Sequence, residues 1–283
     1  MLDVRPVAPA LGAEVFGVDL SAPLDDAVFA EIRAAFVRYG VLFFREQPRL
    51  EPDQQIAFAR RFGRLHEHPA APHLAGHPEI FVIHTHAGSR VANGELWHSD
   101  VSCDAEPPAA TMLQIHQLPP VGGDTLWTST AAAYEALSDP VRTMVGSLYA
   151  VHASEHIYRG RYADRGVDDA GREYPQARHP VVAVHPETGR PALFVNRSFT
   201  TRIEGLSELE SRALLGLLFD HIEQPHFGLR FRWRENDVAL WDNRQTQHMA
   251  LWDYYPHERK GHRVTIAGTR PVGLDECTSG RVA

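Results

Sequence analysis

The sequence predicts a mainly β fold with peripheral helices, a sandwich or jelly roll of α+β class. Two observations carry that prediction. From Thr111 onward the chain breaks into short runs rich in β-branched, leucine and aromatic residues, punctuated by glycine and proline. Helical periodicity covers few segments, and no glycine-rich phosphate loop suggests a nucleotide-binding α/β sheet.

Taken in order, "DDAVFAEIRAAFVRYG" (25–40) sets Val28, Phe29, Ile32, Ala35 and Phe36 on one helical face, with Gly40 ending the helix. "VLFF" (41–44) reads as a short buried strand. "EPDQQIAFARRFG" (51–63) is a second helix, with Pro52 in its first turn and Gly63 past its end. "EIFVIHT" (79–85) is strand-like, as are "TMLQIHQL", "DTLWTS", "YAVHAS", "HPVVAVHP" and "PALFVN" after it. "HPETGRPALFVN" predicts a hairpin closing around Gly189. "SELESRALLGLLFDHIE" (207–223) is the one helix expected in this half. Ser207 and Glu210 have capping-box spacing, and Leu209, Ala213, Leu214, Leu217 and Leu218 form its apolar stripe. "LRFRWRENDVALWDN" and "RVTIAGT" close the β-rich half. The aperiodic stretch at about 156–180, rich in Gly, Asp and Arg, reads as a lid-like excursion over a site.

Composition narrows the function. The 283 residues carry 43% hydrophobic and 23% charged side chains, enough for an ample core within one expected domain, 1–283. A net charge of −8 without a basic block gives no footprint for nucleic acid. Two cysteines, Cys103 and Cys277, are too few for a disulfide framework. The opening "MLDVRPVAPALG" lacks a signal pattern and no run is apolar enough to span a bilayer, so a cytoplasmic protein away from membranes is expected.

The stretch "ELWHSDVSC" (95–103) sets His98 and Asp100 two residues apart. On a strand, residues i and i+2 share a face, so an imidazole and a carboxylate would converge. With a second histidine they make the facial triad of non-heme Fe(II) oxygenases, which leaves half the coordination sphere open. A lone His-x-Asp is weak in a chain with 17 histidines, where about one match is expected by chance. His248 near the other end of the chain is a second histidine that can meet the early pair in a fold that brings distant strands together. Arg259 and Arg263, four apart in an extended segment, face the same way. Two guanidiniums aimed into one pocket call for an anion.

The segments "WHSDVS", "GGDTLWTSTAAAYEAL", "FVNRSFTTRIEG" and "LWDNRQTQH…DYYPHERKGHRVTIAGTRP" are similar, in order and spacing, to those of the TauD/TfdA family, the taurine/alpha-ketoglutarate dioxygenases. The resemblance runs from about Val7 to Pro271. It implies a double-stranded β-helix (jelly roll, cupin-like) and an enzyme using Fe(II), 2-oxoglutarate as cosubstrate, and O2. By resemblance His98, Asp100 and His248 match the iron ligands, and Thr125 and Arg259 hold the distal carboxylate of 2-oxoglutarate. Arg263 matches the partner of the substrate's anionic end. His68, Asn93 (or Gly94 in its slot), Val101 and Phe199 match the substrate pocket. The chain departs from the taurine enzymes at "HPAA", where Ala71 replaces a tyrosine, and in the segment "HASEHIYRGRY".

A roomier, less polar pocket disfavours taurine. The expected substrate is a small anionic sulfonate or sulfate ester, hydroxylated so that a C–S or C–O bond breaks. Alternatives are an aryloxyalkanoate, another carboxylated metabolite or, more remotely, a non-catalytic metal-binding jelly roll. A zinc hydrolase is disfavoured because no general-base glutamate accompanies the histidines in a zinc-protease pattern. A homo-oligomer, dimer or tetramer, is the expected assembly. Trp97, Trp127 and Trp241 are expected to pack rather than react, Cys103 to be a small buried residue, and His66, His116 and His185 to be packed or surface histidines rather than ligands. Arg202 and Arg244 have no role derivable from the sequence.

Overall fold

The computed structural model describes residues 2–68, 73–163 and 166–278. In chain order the first elements are β1 (Asp3–Pro6), β2 (Ala13–Phe16), α1 (Asp26–Tyr39), β3 (Val41–Phe44) and α2 (Pro52–Arg60). Next come β4 (Leu65–His66), β5 (His73–Leu74), β6 (His77–Thr85), β7 (Ala110–Gln117) and β8 (Thr125–Ser129). Three short helices follow, α3 (Thr130–Glu135), α4 (Asp139–Val145) and α5 (Glu155–Tyr158), with β9 (Tyr149–Ala153) between the last two. The chain continues through β10 (Gln176–Pro180), β11 (Val182–Val184), β12 (Pro191–Leu193), β13 (Thr200–Ile203) and α6 (Glu208–Ile222). It ends with β14 (Gly228–Phe231), β15 (Val238–Asp242), β16 (Thr246–Ala250), β17 (Arg259–Ile266) and α7 (Leu274–Thr278).

Nine strands form the large sheet, ordered β1-β2-β3-β15-β7-β17-β6-β5 with β4 paired to β17. A smaller sheet, β14-β8-β16, lies against it. The "VLFF" strand explains how they pack. Successive side chains point to opposite faces of a strand. Val41 and Phe43 therefore face the small sheet, where they meet Trp127 and Phe231, with Trp241 of the adjacent β15 in the same cluster. Leu42 and Phe44 point the other way, onto Ile32 and Phe36 of α1 and Ile56 and Phe58 of α2. Both faces are covered, so an unbroken apolar run suits this strand. These two facing sheets form the jelly roll that the sequence led us to expect.

The expected α1, α2 and α6 are present, α6 with its capping box: Ser207 accepts from the Glu210 amide, and Glu210 Oε2 from the Ser207 amide at 2.9 Å. The hairpin around Gly189 is the β11–β12 pair. Several expectations need correction. The buried face of α6 is Ser211, Leu215, Leu218 and Ile222, whereas Leu209 and Leu217 are exposed. Seven of its residues are apolar enough to suggest two competing stripes, and contact with β13 and α3 selects one. α3, α4 and α5 were not expected; each is seven residues or shorter, too short to show a period. "LRFRWRENDVALWDN" divides into β14 in the small sheet and β15 in the large one. Of the excursion at 156–180, residues 176–180 are β10, paired with β9. Ala71 lies outside the described residues.

Candidate active site

His248 sits on β16 opposite Trp127, and Ala250 opposite Thr125 of β8. Alternation puts all four on the inner face of the small sheet. Facing them from the large sheet is β17, whose Arg259 and Arg263 are both buried. As expected, four residues of extended chain aim both guanidiniums inward. Between them Gly261 passes so close to β7 that an added Cβ would lie 2.4 Å from the Gln114 carbonyl oxygen. The β17–β7 register slips at this point, between Lys260 and Gly261.

The His-x-Asp pair converges, but by a different route from the strand alternation first supposed. His98 makes a single bridge with His248, through His98 N to His248 O at 3.1 Å and His248 N to His98 O at 2.9 Å. The chain then turns, and Val101 has φ +46°, a strained value for a β-branched residue. The turn swings Asp100 back towards both rings. His98 Nε2 lies 3.7 Å and His248 Nε2 3.9 Å from Asp100 Oδ1. One ligand atom from each of the three lies within 4.8 Å of the others, which suits one metal ion.

The protonation states suit it too. His98 Nδ1 faces the Leu96 carbonyl at 2.7 Å, and a carbonyl only accepts, so Nδ1 carries the proton and Nε2 the lone pair. Burial pushes both imidazoles below their ordinary value, His248 the further, so both rings are neutral, the state that metal ligation requires. Burial alone would raise Asp100, but the Arg263 guanidinium and the Thr111 hydroxyl hold its carboxyl well below the usual range. Arg263 Nη1 donates to Asp100 Oδ1 at 2.8 Å and Thr111 Oγ1 to Oδ2 at 2.7 Å. Asn243 completes the brace. Its Oδ1 accepts from the Asp100 amide at 3.3 Å and Trp241 Nε1 at 3.1 Å, and its Nδ2 donates to Thr111 Oγ1 at 3.0 Å. Neither Asn243 nor Thr111 was singled out in the sequence, because no spacing rule links them to His98.

A small cavity of about 50 Å³ is lined by Thr125, His248, Arg259 and Arg263. Arg259 Nε donates to the Gly123 carbonyl at 3.1 Å, while its Nη2 is buried without a partner among the described residues. A buried guanidinium with an unused donor is costly unless something anionic meets it. Thr125 Oγ1 accepts from Trp233 Nε1 at 3.0 Å, leaving its own hydrogen to donate. The pair offers what a dicarboxylate's far end requires.

A second cavity, of about 320 Å³, opens beside the three candidate ligands. His68, Asn93, Val101, Phe199 and Arg263, all expected in the substrate pocket, line it. Ile157, Tyr158, Arg161 and Tyr162, from the excursion, also line it and were not foreseen individually. Val101, Tyr158, Tyr162 and Phe199 form its apolar wall and share a cluster with Phe81. Burial first, then Arg263, pushes His68 well below its ordinary value, so it faces the cavity uncharged. Arg263 keeps Nε unpartnered among the described residues although its Nη1 is engaged with Asp100.

The residues expected to pack do so. Trp127 and Trp241 are buried, while Trp97 is half-buried. His185 Nε2 pairs with Asp242 Oδ2 at 2.9 Å, and Arg244 Nη2 meets the same oxygen at 2.7 Å. Arg244 thereby gains a structural role. His66 pairs with Asp104 at 2.9 Å. Burial pushes the Cys103 thiol up to about 12, an unreactive state. Arg202 is exposed on β13, and no side-chain contact among the described residues explains it.

The family model described as taurine catabolism dioxygenase TauD, TfdA family matches residues 3–265. The chain is similar to the alpha-ketoglutarate-dependent sulfate ester dioxygenase of Pseudomonas putida, with 41% identity over 283 residues, covering 97% of this chain and 92% of that protein. Among solved structures it is similar to a taurine dioxygenase from Burkholderia xenovorans, with 39% identity and a TM-score of 0.83 over 97% of this chain and 93% of that one. It is also similar to AAD-2 in complex with Mn(II) and N-oxalylglycine, with 29% identity and a TM-score of 0.79 over 96% and 99% of the two chains.

Proposed function

The chain belongs to the TauD/TfdA family and is an alpha-ketoglutarate-dependent dioxygenase, and from that premise we propose that it uses Fe(II) and O2 to oxidise the carbon bearing the oxygen of an alkyl sulfate ester. One observation carries the reading: the cavity beside His98 and Asp100 joins a cationic corner at Arg263 to an apolar wall. Such a cavity suits an anionic head on a hydrocarbon body. The similarity to a sulfate ester dioxygenase supports the same substrate class.

The residues divide the work. His98, Asp100 and His248 would hold the ferrous ion, with both rings neutral and the carboxylate fixed by Thr111, Arg263 and Asn243. Arg259 and Thr125 would bind the far carboxylate of 2-oxoglutarate. Ferrous iron and the keto acid, when bound, supply oxygen activation, with release of succinate and carbon dioxide and hydroxylation of the substrate. Arg263 and His68 would bind the sulfate head and turn its adjacent carbon towards the iron ligands. Val101, Tyr158 and Phe199 would exclude water from that carbon. The hydroxylated ester breaks its C–O bond, giving an aldehyde, inorganic sulfate and a proton.

A substrate panel tests this. Succinate release should be fastest with alkyl sulfate esters, slower with alkyl sulfonates and aryloxyalkanoates, and least with taurine. Taurine as the best substrate, or sulfate esters with no effect, would overturn the assignment.

A further inference from the structure

Asn93 lines both cavities, which suggests a substrate ligand, but its side chain is already engaged. Arg161 Nε lies 3.2 Å from Asn93 Oδ1, and Tyr162 Oη lies 3.2 Å from the same atom. Arginine only donates, so the amide orientation is forced, with the oxygen facing Arg161. Arg161 Nη2 also donates to the neighbouring Ala92 carbonyl. The anchor beneath is firm. Gly94 O accepts from the Ala250 amide at 2.8 Å, on the strand that carries His248. Gly94 has φ +82°, and an added Cβ would lie 3.1 Å from His98 Cε1.

We propose that Asn93 is a positioning residue rather than a substrate ligand: its side-chain oxygen latches Arg161 and Tyr162, and so fixes the segment after α5 as the outer wall of the substrate cavity. α5 is only four residues long, and a helix of one turn does not hold itself. The segment's order therefore depends on what ties it down. Its four neighbouring amides, on Ile157, Tyr158, Arg159 and Arg161, bond only to carbonyls of the same segment. The latch joins that segment to the β16 side of the site, so the wall is set relative to the iron ligands. Loss of the latch lets water reach the reacting centre and lets keto acid be consumed without substrate oxidation.

Two readouts test this. The first is hydrogen exchange on protein free of metal and substrate, and does not depend on the oxygenase reading. Asn93→Ala and Tyr162→Phe should speed exchange of the Ile157, Tyr158, Arg159 and Arg161 amides, about tenfold for the alanine variant, with β17 amides unchanged. Asn93→Asp keeps the acceptor and should retain the protection. Wild-type exchange rates in Asn93→Ala, or equal loss of protection in the aspartate and alanine variants, would overturn the proposal. The second readout rests on the proposed function. With an alkyl sulfate ester, Asn93→Ala should form more succinate than sulfate, where the wild type forms equal amounts. A raised KM with matched products and normal exchange would make Asn93 a substrate ligand instead. If the wild type forms no succinate, the oxygenase reading fails and exchange alone decides the latch.

Discussion

Asp100 shows how much a single residue depends on its neighbours. The residue is only 1% exposed, and its carboxylate would be costly there without Arg263, Thr111 and Asn243 around it. Removing a group that orients a ligand typically weakens metal binding by 10–100-fold. Asn243→Ala should therefore weaken Fe(II) binding by about tenfold or more and cost roughly 2–3 kcal/mol of stability, from the buried polar groups it strands. A calorimetric Fe(II) titration with a urea melt reads both, and unchanged affinity would remove Asn243 from the brace. Arg259→Ala should raise the KM for 2-oxoglutarate far more than that for the sulfate ester, and equal effects on both would defeat the division of labour. At this scale the residue types were legible and the geometry was not. His98 and Asp100 stand out as a pair, yet they meet through a turn at Val101 rather than along a strand. Asn243 and Thr111 were invisible because their partners are 143 and 11 residues away in the chain.

Among the elements, β17 carries most of the consequence, since one strand presents both arginines to the site. Gly261 lets it pass β7 closely. Gly261→Ala would drive a methyl into the Gln114 carbonyl, which is backbone and cannot yield. The variant should lose roughly 2 kcal/mol or more and weaken 2-oxoglutarate and substrate binding together. Wild-type stability would show that the strand can slide. α6 offers a contrast. Leu218→Ala should cost about 2–4 kcal/mol, because Leu218 is fully buried, and Leu209→Ala less than about 0.5 kcal/mol. The helix was legible from its cap and period, but its face was not. Leucines at 209, 214, 215, 217 and 218 leave the stripe to be chosen by the surfaces it meets.

At the scale of the whole molecule, two of its sheets, the large one and β14-β8-β16, close over one site, and the sequence revealed this through punctuation and spacing more than through any single strand. β8 lies far along the chain from β16 and β17, so their convergence could be expected only from the fold class. Global stability should also report on buried histidines. Burial pushes His152 down to about 3, and burial with neighbouring cationic groups pushes His116 and His262 down to about 4, against an ordinary 6.5. Between those values the unfolded chain binds more protons than the folded one, so stability is intact above about pH 6.5 and declines as the pH falls towards 3. The Tm of metal-free protein should therefore drop by several degrees from pH 7 to pH 5, and a flat profile would contradict neutral burial. The central claim is that His98, Asp100 and His248 grip one ferrous ion while leaving room for the keto acid. Anaerobic addition of Fe(II) and 2-oxoglutarate, followed by visible absorption, tests it most directly. The wild type should develop a metal-to-keto-acid charge-transfer band that His98→Ala, Asp100→Ala and His248→Ala each lose. No band in the wild type, or an undiminished band in any of the three variants, would contradict the account.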